Sequence, residues 1–188
     1  MTEPLKYIYQ HPLLSEQELD EIWAAHRAVE VRKGELLLKE GEVSTAYYLV
    51  EEGIVRAFVH DFDNNEITTE FFCARDIVII PSSLFQQRPS QENLQAVTAC
   101  KLWKIDYESF QTLFHSIEGV REWGRFWFSH QLFHMKQRSL DMITETASAR
   151  YEKLLKEKPQ IIQQAPLKQI ASYLGITDTS LSRIRRIR

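Results

Sequence analysis

The sequence predicts an α+β protein: an antiparallel β roll of the double-stranded β-helix or jelly-roll kind with flanking helices, a long dimerisation helix and a C-terminal helix-turn-helix domain. Three observations carry this expectation. Short β-rich runs separated by turns fill the stretch from Val31 to Ile105. Apolar residues then recur at helical spacing from Ile117 to Ala147, and Leu167 to Ile184 places Gly, Ala and aliphatic residues where two short crossed helices need them. The expected divisions are residues 1–116 for the roll, 117–147 for the long helix and 148–188 for the DNA-binding unit.

Taken in chain order, Ser15 stands three residues before Glu18 and just ahead of Leu19, Ile22 and Trp23, a capping-box start for an amphipathic helix expected to end near Arg27. Strands are expected at Glu35–Lys39, Ala46–Glu51, Ile54–His60, Glu66–Phe72, Ile77–Ile80 and Leu94–Ile105, with Gly34, Gly41 and Gly53 punctuating the first three. Asp61 to Asn65 is a hairpin loop of residues that tolerate left-handed backbone. Many short strands at this spacing suit a closed roll, which hides most sheet edges. Asp106 is placed to cap a helix running through His115. In the long helix Phe126, Phe133, Leu140 and Ala147 repeat every seven residues, with Ile143 between. Trp123, Trp127, Phe128, Leu132 and Met135 make it apolar on more than one side. At about 28 residues, roughly 40 Å, it is longer than a small domain needs to cover its own core. One face is therefore expected to pack on the roll and the other on a twin helix, making a parallel homodimer with Phe126, Phe133, Leu140 and Ile143 at the interface.

Composition bounds the possibilities. Hydrophobic residues make up 44% of the 188 residues and charged ones 26%, proportions of a packed globular chain rather than a disordered or fibrous one. Apolar runs such as Ile77–Ile80 fall far short of the roughly 20 residues that span a bilayer, so no membrane crossing is expected. The first ten residues lack a basic stretch followed by an apolar segment, no secretion signal is read, and the expected location is cytoplasmic. Cys73 and Cys100 lack Cys-x-x-Cys spacing and a histidine at zinc spacing, and are read as small core hydrophobes with no cofactor implied.

Net charge is −3, which by itself disfavours a polyanionic partner, but the charge is segregated. Residues 149–188 hold nine basic and three acidic side chains, a surplus of six; the other 148 residues hold 14 basic and 23 acidic, a deficit of nine. An acidic body with a basic end is the asymmetry expected when one end meets nucleic acid. Within that end, Pro166 suits the first turn of a helix, Ala171 is small where a second helix passes, and Gly175 can end the first helix in left-handed backbone. Ile170, Leu174, Ile176, Leu181 and Ile184 supply the contacts that fix the angle between the two helices. Thr177 can cap the second helix, whose outward positions are Asp178, Thr179, Ser182, Arg183 and Arg186. Short polar groups followed by guanidinium groups suit a helix in the major groove of double-stranded DNA, where Arg bonds bidentately to guanine. Arg185, Arg186 and Arg188 can neutralise phosphate, and Lys168 on the first helix joins the candidate DNA-binding residues. The plain alternative is a helical hairpin with a solvated basic face.

With these parts in this order, the chain resembles the Crp/Fnr family of bacterial transcription regulators. The N-terminal half of the resemblance rests on Lys33-Gly34-Glu35, Gly41-Glu42, Tyr48-Leu49-Val50, Gly53-Ile54-Val55 and Asp76; the C-terminal half rests on Ile170-Ala171, Leu174-Gly175-Ile176 and Leu181-Ser182-Arg183-Ile184. The resemblance implies a cyclic-nucleotide-binding-like domain, a homodimer on a palindromic operator and contact with RNA polymerase. Three departures stand out. Members that bind a cyclic nucleotide carry Gly-Glu for the ribose about ten residues before an Arg for the phosphate; here Ser90 falls at the Arg position and no Gly-Glu precedes it. Cyclic AMP is therefore not the expected effector, which stays unidentified, with Arg88 and Ser90 as weak effector-binding candidates. Thr179 stands where the recognition helix often has Glu, and Lys158 to Ala165 is short for the family's β wing and reads instead as a helical turn.

Other chemistries find little support. The family's redox branch uses an N-terminal cysteine cluster that this chain lacks; His130 and His134, four apart on the long helix, are spaced to reach one metal but also suit a solvated face. A metal-dependent β-roll enzyme needs inward histidines on strands, and His60 is the only histidine in the strand region. No nucleophile–base arrangement stands out, so an enzyme is not expected. The remaining alternative is an effector-binding or signalling module that acts through protein partners.

Overall fold

The structure is a computed structural model and describes residues 7–186. A capping box opens α1 (Glu16–Ala24): Ser15 Oγ accepts from the Glu18 amide at 3.3 Å, and the Glu18 carboxylate accepts from the Ser15 amide at 2.8 Å. The helix stops at Ala24 rather than near Arg27, because Arg27–Val31 already form a strand, β1. That strand escapes a reading by alternation, since only Val31 of its five residues is fully buried.

Seven more strands follow: β2 (Leu36–Leu38), β3 (Ala46–Glu52), β4 (Val55–His60), β5 (Glu66–Phe72), β6 (Ile77–Val78), β7 (Asn93–Ala96) and β8 (Cys100–Asp106). The run expected as one strand from Leu94 to Ile105 is thus two, β7 and β8, in different sheets. Between β6 and β7 lies a short helix not foreseen, α2 (Pro81–Gln86), with Pro81 in its first turn, where a missing N–H costs nothing. Two four-stranded antiparallel sheets, ordered β1-β8-β3-β6 and β2-β7-β4-β5, face each other over Val31, Val50, Val55, Leu94 and Leu102. The turn from β3 to β4 depends on Gly53, whose φ of +98° lies in left-handed space and whose missing Cβ would stand 2.5 Å from the Ala99 carbonyl oxygen. The hairpin loop between β4 and β5 closes on Asp61, which accepts from the Asp63 and Asn65 amides at 2.9 and 2.8 Å, with Asn64 left-handed at φ 62°.

Helix α3 (Tyr107–Ser116) leads into α4 (Glu118–Thr144). Asp106 holds the cap position of α3, but its side chain does not cap the helix: the carboxylate binds Lys104 at 2.8 Å and Arg27 at 3.4 Å instead. The first turns of α4 pack Val120 and Trp123 with Ile22, Tyr47, Phe110 and Leu113 into a second core. Gly124 lets α4 pass close to α3, since a Cβ there would sit 3.3 Å from the Phe114 ring. Inside this core Tyr9 lies 3.1 Å from His26 Nε2 and 2.5 Å from the Tyr47 hydroxyl, while His26 Nδ1 lies 2.7 Å from the Ile22 carbonyl. A carbonyl only accepts, so the His26 proton sits on Nδ1; Tyr9 then donates to Nε2 and Tyr47 donates to Tyr9.

Four helices complete the chain: α5 (Ala147–Glu157), α6 (Pro159–Gln164), α7 (Leu167–Tyr173) and α8 (Asp178–Arg186). Their apolar faces share a third core with the outer surface of the roll, where Ile54, Phe71, Cys73 and Val97 meet Tyr151, Leu154, Ile161, Ile170 and Leu181. Cys73 and Cys100 are both free and buried, and burial pushes the Cys73 thiol up to about 11, so it packs as a hydrophobe rather than reacting.

Candidate nucleic-acid interface

The exposed polar face of the C-terminal helices is built by the turn between α7 and α8. Gly175 is left-handed at φ 67°; its amide donates to the Ser172 carbonyl and the Ile176 amide to the Ala171 carbonyl, both at 3.0 Å, the paired bonds of a Schellman ending. Pro166 stands at the cap position of α7, one residue before the turn expected for it. Thr177 Oγ1 accepts from the Ser180 amide at 3.2 Å and so caps α8, as its place before an acidic first turn suggests. Ile170 and Leu181 are fully buried, and Ala171 is 2% exposed where α8 crosses. Burying those residues leaves Thr177, Asp178, Thr179, Arg183, Arg185 and Arg186 exposed and Ser182 half-buried on one side of α8, with Lys168 exposed on α7. Arg185 is partly committed, donating from Nη2 to the Ile162 carbonyl at 2.9 Å. Arg188 lies outside the described residues. Chemically, this face presents Arg183 and Arg186, whose guanidinium groups have no partner among the described residues, behind a rim of hydroxyl and carboxylate groups, able to bond base edges and phosphates.

Side chains that reading by periodicity did not single out hold this pair of helices to the roll. Ser172 Oγ accepts from the Thr68 amide of β5 at 3.1 Å, and Tyr173 packs edge-to-face on Phe71 with ring centres 5.2 Å apart. Arg138 of α4 donates to the Thr69 carbonyl and, at 3.2 Å, to that of Tyr173, with its guanidinium 4.1 Å over the Tyr173 ring. Lys158 donates to Asp76 at 2.7 Å and to the Phe71 carbonyl at 3.0 Å. Burial opposes the charge on Lys158, yet Asp76 beside it holds the ammonium above its ordinary range. Within the roll, Arg56 of β4 is almost wholly buried, ion-paired to Glu66 and bonded to Gln95 at 2.7 Å. No local sequence signal marks these residues, because each works through a neighbour distant in the chain.

The effector candidates are placed differently. Ser90 is buried, with its hydroxyl donating to the Glu92 carbonyl at 2.7 Å and accepting from the Glu92 amide at 3.1 Å, so it is spent on its own turn. Arg88 is exposed nearby, and its carbonyl accepts from Ser83 Oγ at 2.8 Å. Neighbouring Asn93 was missed by sequence reading: its Oδ1 accepts from the Glu40 amide at 3.0 Å, while its buried Nδ2 has no partner among the described residues. On α4, Phe126, Phe133 and Ile143 are 65%, 71% and 82% exposed, and Leu140 is 40% exposed. His130 and His134 stand 4.5 Å apart, ring centre to ring centre.

The roll defines a class: residues 28–116 match the cyclic nucleotide-binding domain. Solved structures extend the likeness of fold to the rest of the chain. FixK2 from Bradyrhizobium japonicum is 20% identical, aligns over 86% of this chain and 83% of that one, and gives a TM-score of 0.75. A protein assigned to the Crp/Fnr family of transcriptional regulators from Eubacterium rectale is 18% identical over 95% of this chain and 86% of that one, with a TM-score of 0.72. The cAMP-bound PfPKA-R (141–441) is 23% identical with a TM-score of 0.52; the likeness covers 59% of this chain and only 39% of that one. No curated protein matches the chain in sequence.

Proposed function

We propose that this protein is a DNA-binding transcription regulator of the Crp/Fnr type, working as a homodimer on a palindromic operator, with α8 as the recognition helix. The exposed polar side of α8 carries this reading. Asp178, Thr179, Arg183 and Arg186 all face solvent there, while Leu181 anchors the opposite side. The basic C-terminal end and the acidic remainder support it, since a −3 protein reaches a polyanion only if its cations are gathered at one end. In this arrangement Thr177, Asp178, Thr179, Ser182 and Arg183 face base edges, while Lys168, Arg185 and Arg186 serve phosphates. The exposed apolar side of α4 supplies the twin-helix contact through Phe126, Phe133, Leu140 and Ile143, and the dimer sets two α8 helices against successive major grooves, about 34 Å apart. The effector is not cyclic AMP held in the usual way, because the position that would need a cation for the phosphate is the self-bonded Ser90. Like its Crp/Fnr counterparts, such a dimer acts through RNA polymerase.

The test is selection of binding sequences from random duplexes by the full chain, followed by gel retardation at low salt. A two-fold symmetric sequence is expected, and Arg183→Ala weakens binding to it by about 1–3 kcal/mol while relaxing choice at one base step. Equal loss on every duplex would place Arg183 on phosphate alone. No retardation of any fragment at low salt overturns the reading in favour of a module acting on protein partners.

A further inference from the structure

The roll, α4 and the C-terminal helices meet around a cavity of about 630 Å³ that lies apart from the turn bearing Arg88 and Ser90. Ligand sites commonly fall in the range of about 300–1,000 Å³. Its charged lining is unbalanced. Four carboxylates line it: Asp76 is engaged by Lys158 and the Cys73 amide, Asp141 by Lys153 and Gln137, Glu70 by the Phe71 amide and the Tyr173 hydroxyl, and Glu157 lies near enough to Lys153 to favour its charged form. Three arginines on the same walls form no close ion pair with a carboxylate among the described residues, although the charge of Arg150 is felt by Asp141. Arg75 stacks 4.4 Å over Tyr7; Arg138 bonds to the carbonyls of Thr69 and Tyr173; Arg150 bonds to those of Glu145 and Leu174. The Nε of Arg150 is buried with no acceptor among the described residues, a donor that costs free energy until one is supplied. The lining also includes the apolar side chains of Trp127, Phe72 and Leu154.

From this geometry we propose that the cavity binds a small organic anion with a planar apolar body, and that binding alters how α7 and α8 sit on the roll. Guanidinium groups bonded only to neutral carbonyls exchange them readily for a carboxylate, sulfonate or phosphate, since the charge-assisted bond is the stronger. The carbonyls given up would be those of Tyr173 and Leu174, at the end of α7 and immediately before the Gly175 turn, so the anion competes directly with the clamp on the two helices. The consequence for DNA rests on the function proposed above; the binding itself does not.

The probe is 8-anilinonaphthalene-1-sulfonate, titrated into the full chain and followed by its fluorescence, with uncharged 1-naphthol as comparison. One saturable site per chain is expected, weakened about tenfold in Arg75→Gln and in Arg150→Gln, with 1-naphthol binding far more weakly. Arg75→Gln guards against the case in which Arg150→Gln fails to fold. Unchanged affinity in Arg75→Gln, or equal binding of 1-naphthol, overturns the site and assigns the dye to the apolar side of α4. In gel retardation the saturating probe is expected to change the retained fraction of the selected duplex. An unchanged fraction overturns the coupling alone, and no retained duplex with or without probe overturns the DNA reading while the titration still decides the cavity.

Discussion

His26 is a buried titratable group in the roll's helical core. Burial drives its imidazole down to about 4 against the hydrogen bond to the Ile22 carbonyl, which favours the charged form. The unfolded imidazole takes a proton near 6.5, so between about 6.5 and 4 the unfolded chain binds more protons than the folded one. Stability is therefore expected to be flat above about pH 7 and to fall by about 1–3 kcal/mol as pH drops to 4. Urea unfolding of wild type and His26→Gln across that range checks this; a parallel slope in both would assign the loss to other groups. Two glycines offer a sharper comparison. Both have positive φ, but a Cβ at Gly53 meets the backbone of Ala99 and Cys100 at 2.5 and 2.9 Å, whereas at Gly175 it meets only the movable end of Met142. Gly175→Ala should cost about 1 kcal/mol, from the left-handed backbone alone, and Gly53→Ala clearly more. Thermal melts giving equal costs would contradict the distinction.

At the scale of elements, α4 changes character along its length. Its first turns bury Val120 and Trp123, and its later turns leave Phe126, Leu132, Phe133, Met135 and Ile143 at least 65% exposed. At 27 residues, about 40 Å, the helix outruns the core that its first turns serve. So large an apolar surface on one helix points to a partner of matching chemistry, the place that the proposed function gives to a second copy. Phe133→Ser combined with Ile143→Ser is expected to convert a dimer into a monomer in light scattering at micromolar concentration, with the melting of the roll little changed; a wild-type chain already at the 22.2 kDa monomer mass would refute the pairing. The helix was legible from Phe126, Phe133 and Leu140, seven residues apart, but it ends at Thr144 rather than 147, and the fourth position of the series, Ala147, opens α5 instead. Strands were legible where a short β-rich run is bounded by turns, as in β5 after the Asp61 loop, and not where an exposed edge such as β1 has little to bury. The short α2 was missed because six residues are too few to display a helical period.

Over the whole molecule, local sequence determined the elements and the polarity of their faces: the capped α1, the strands of the roll, the long apolar helix and the Gly175 turn with arginines on the outward side of α8. These follow from capping, periodicity and left-handed backbone, which act between residues a few positions apart. The tertiary structure alone decided that Ser90 is closed on its own turn, that Arg56 is buried against Glu66 and Gln95, that Arg138 and Lys158 tie the last helices to the roll, and that Arg150 joins α5 to the end of α7 beside a cavity. Those contacts join residues up to 87 positions apart, as from Lys158 to Phe71. Such pairings depend on how packed layers bring distant carbonyls and cations together, and no spacing within one segment encodes them.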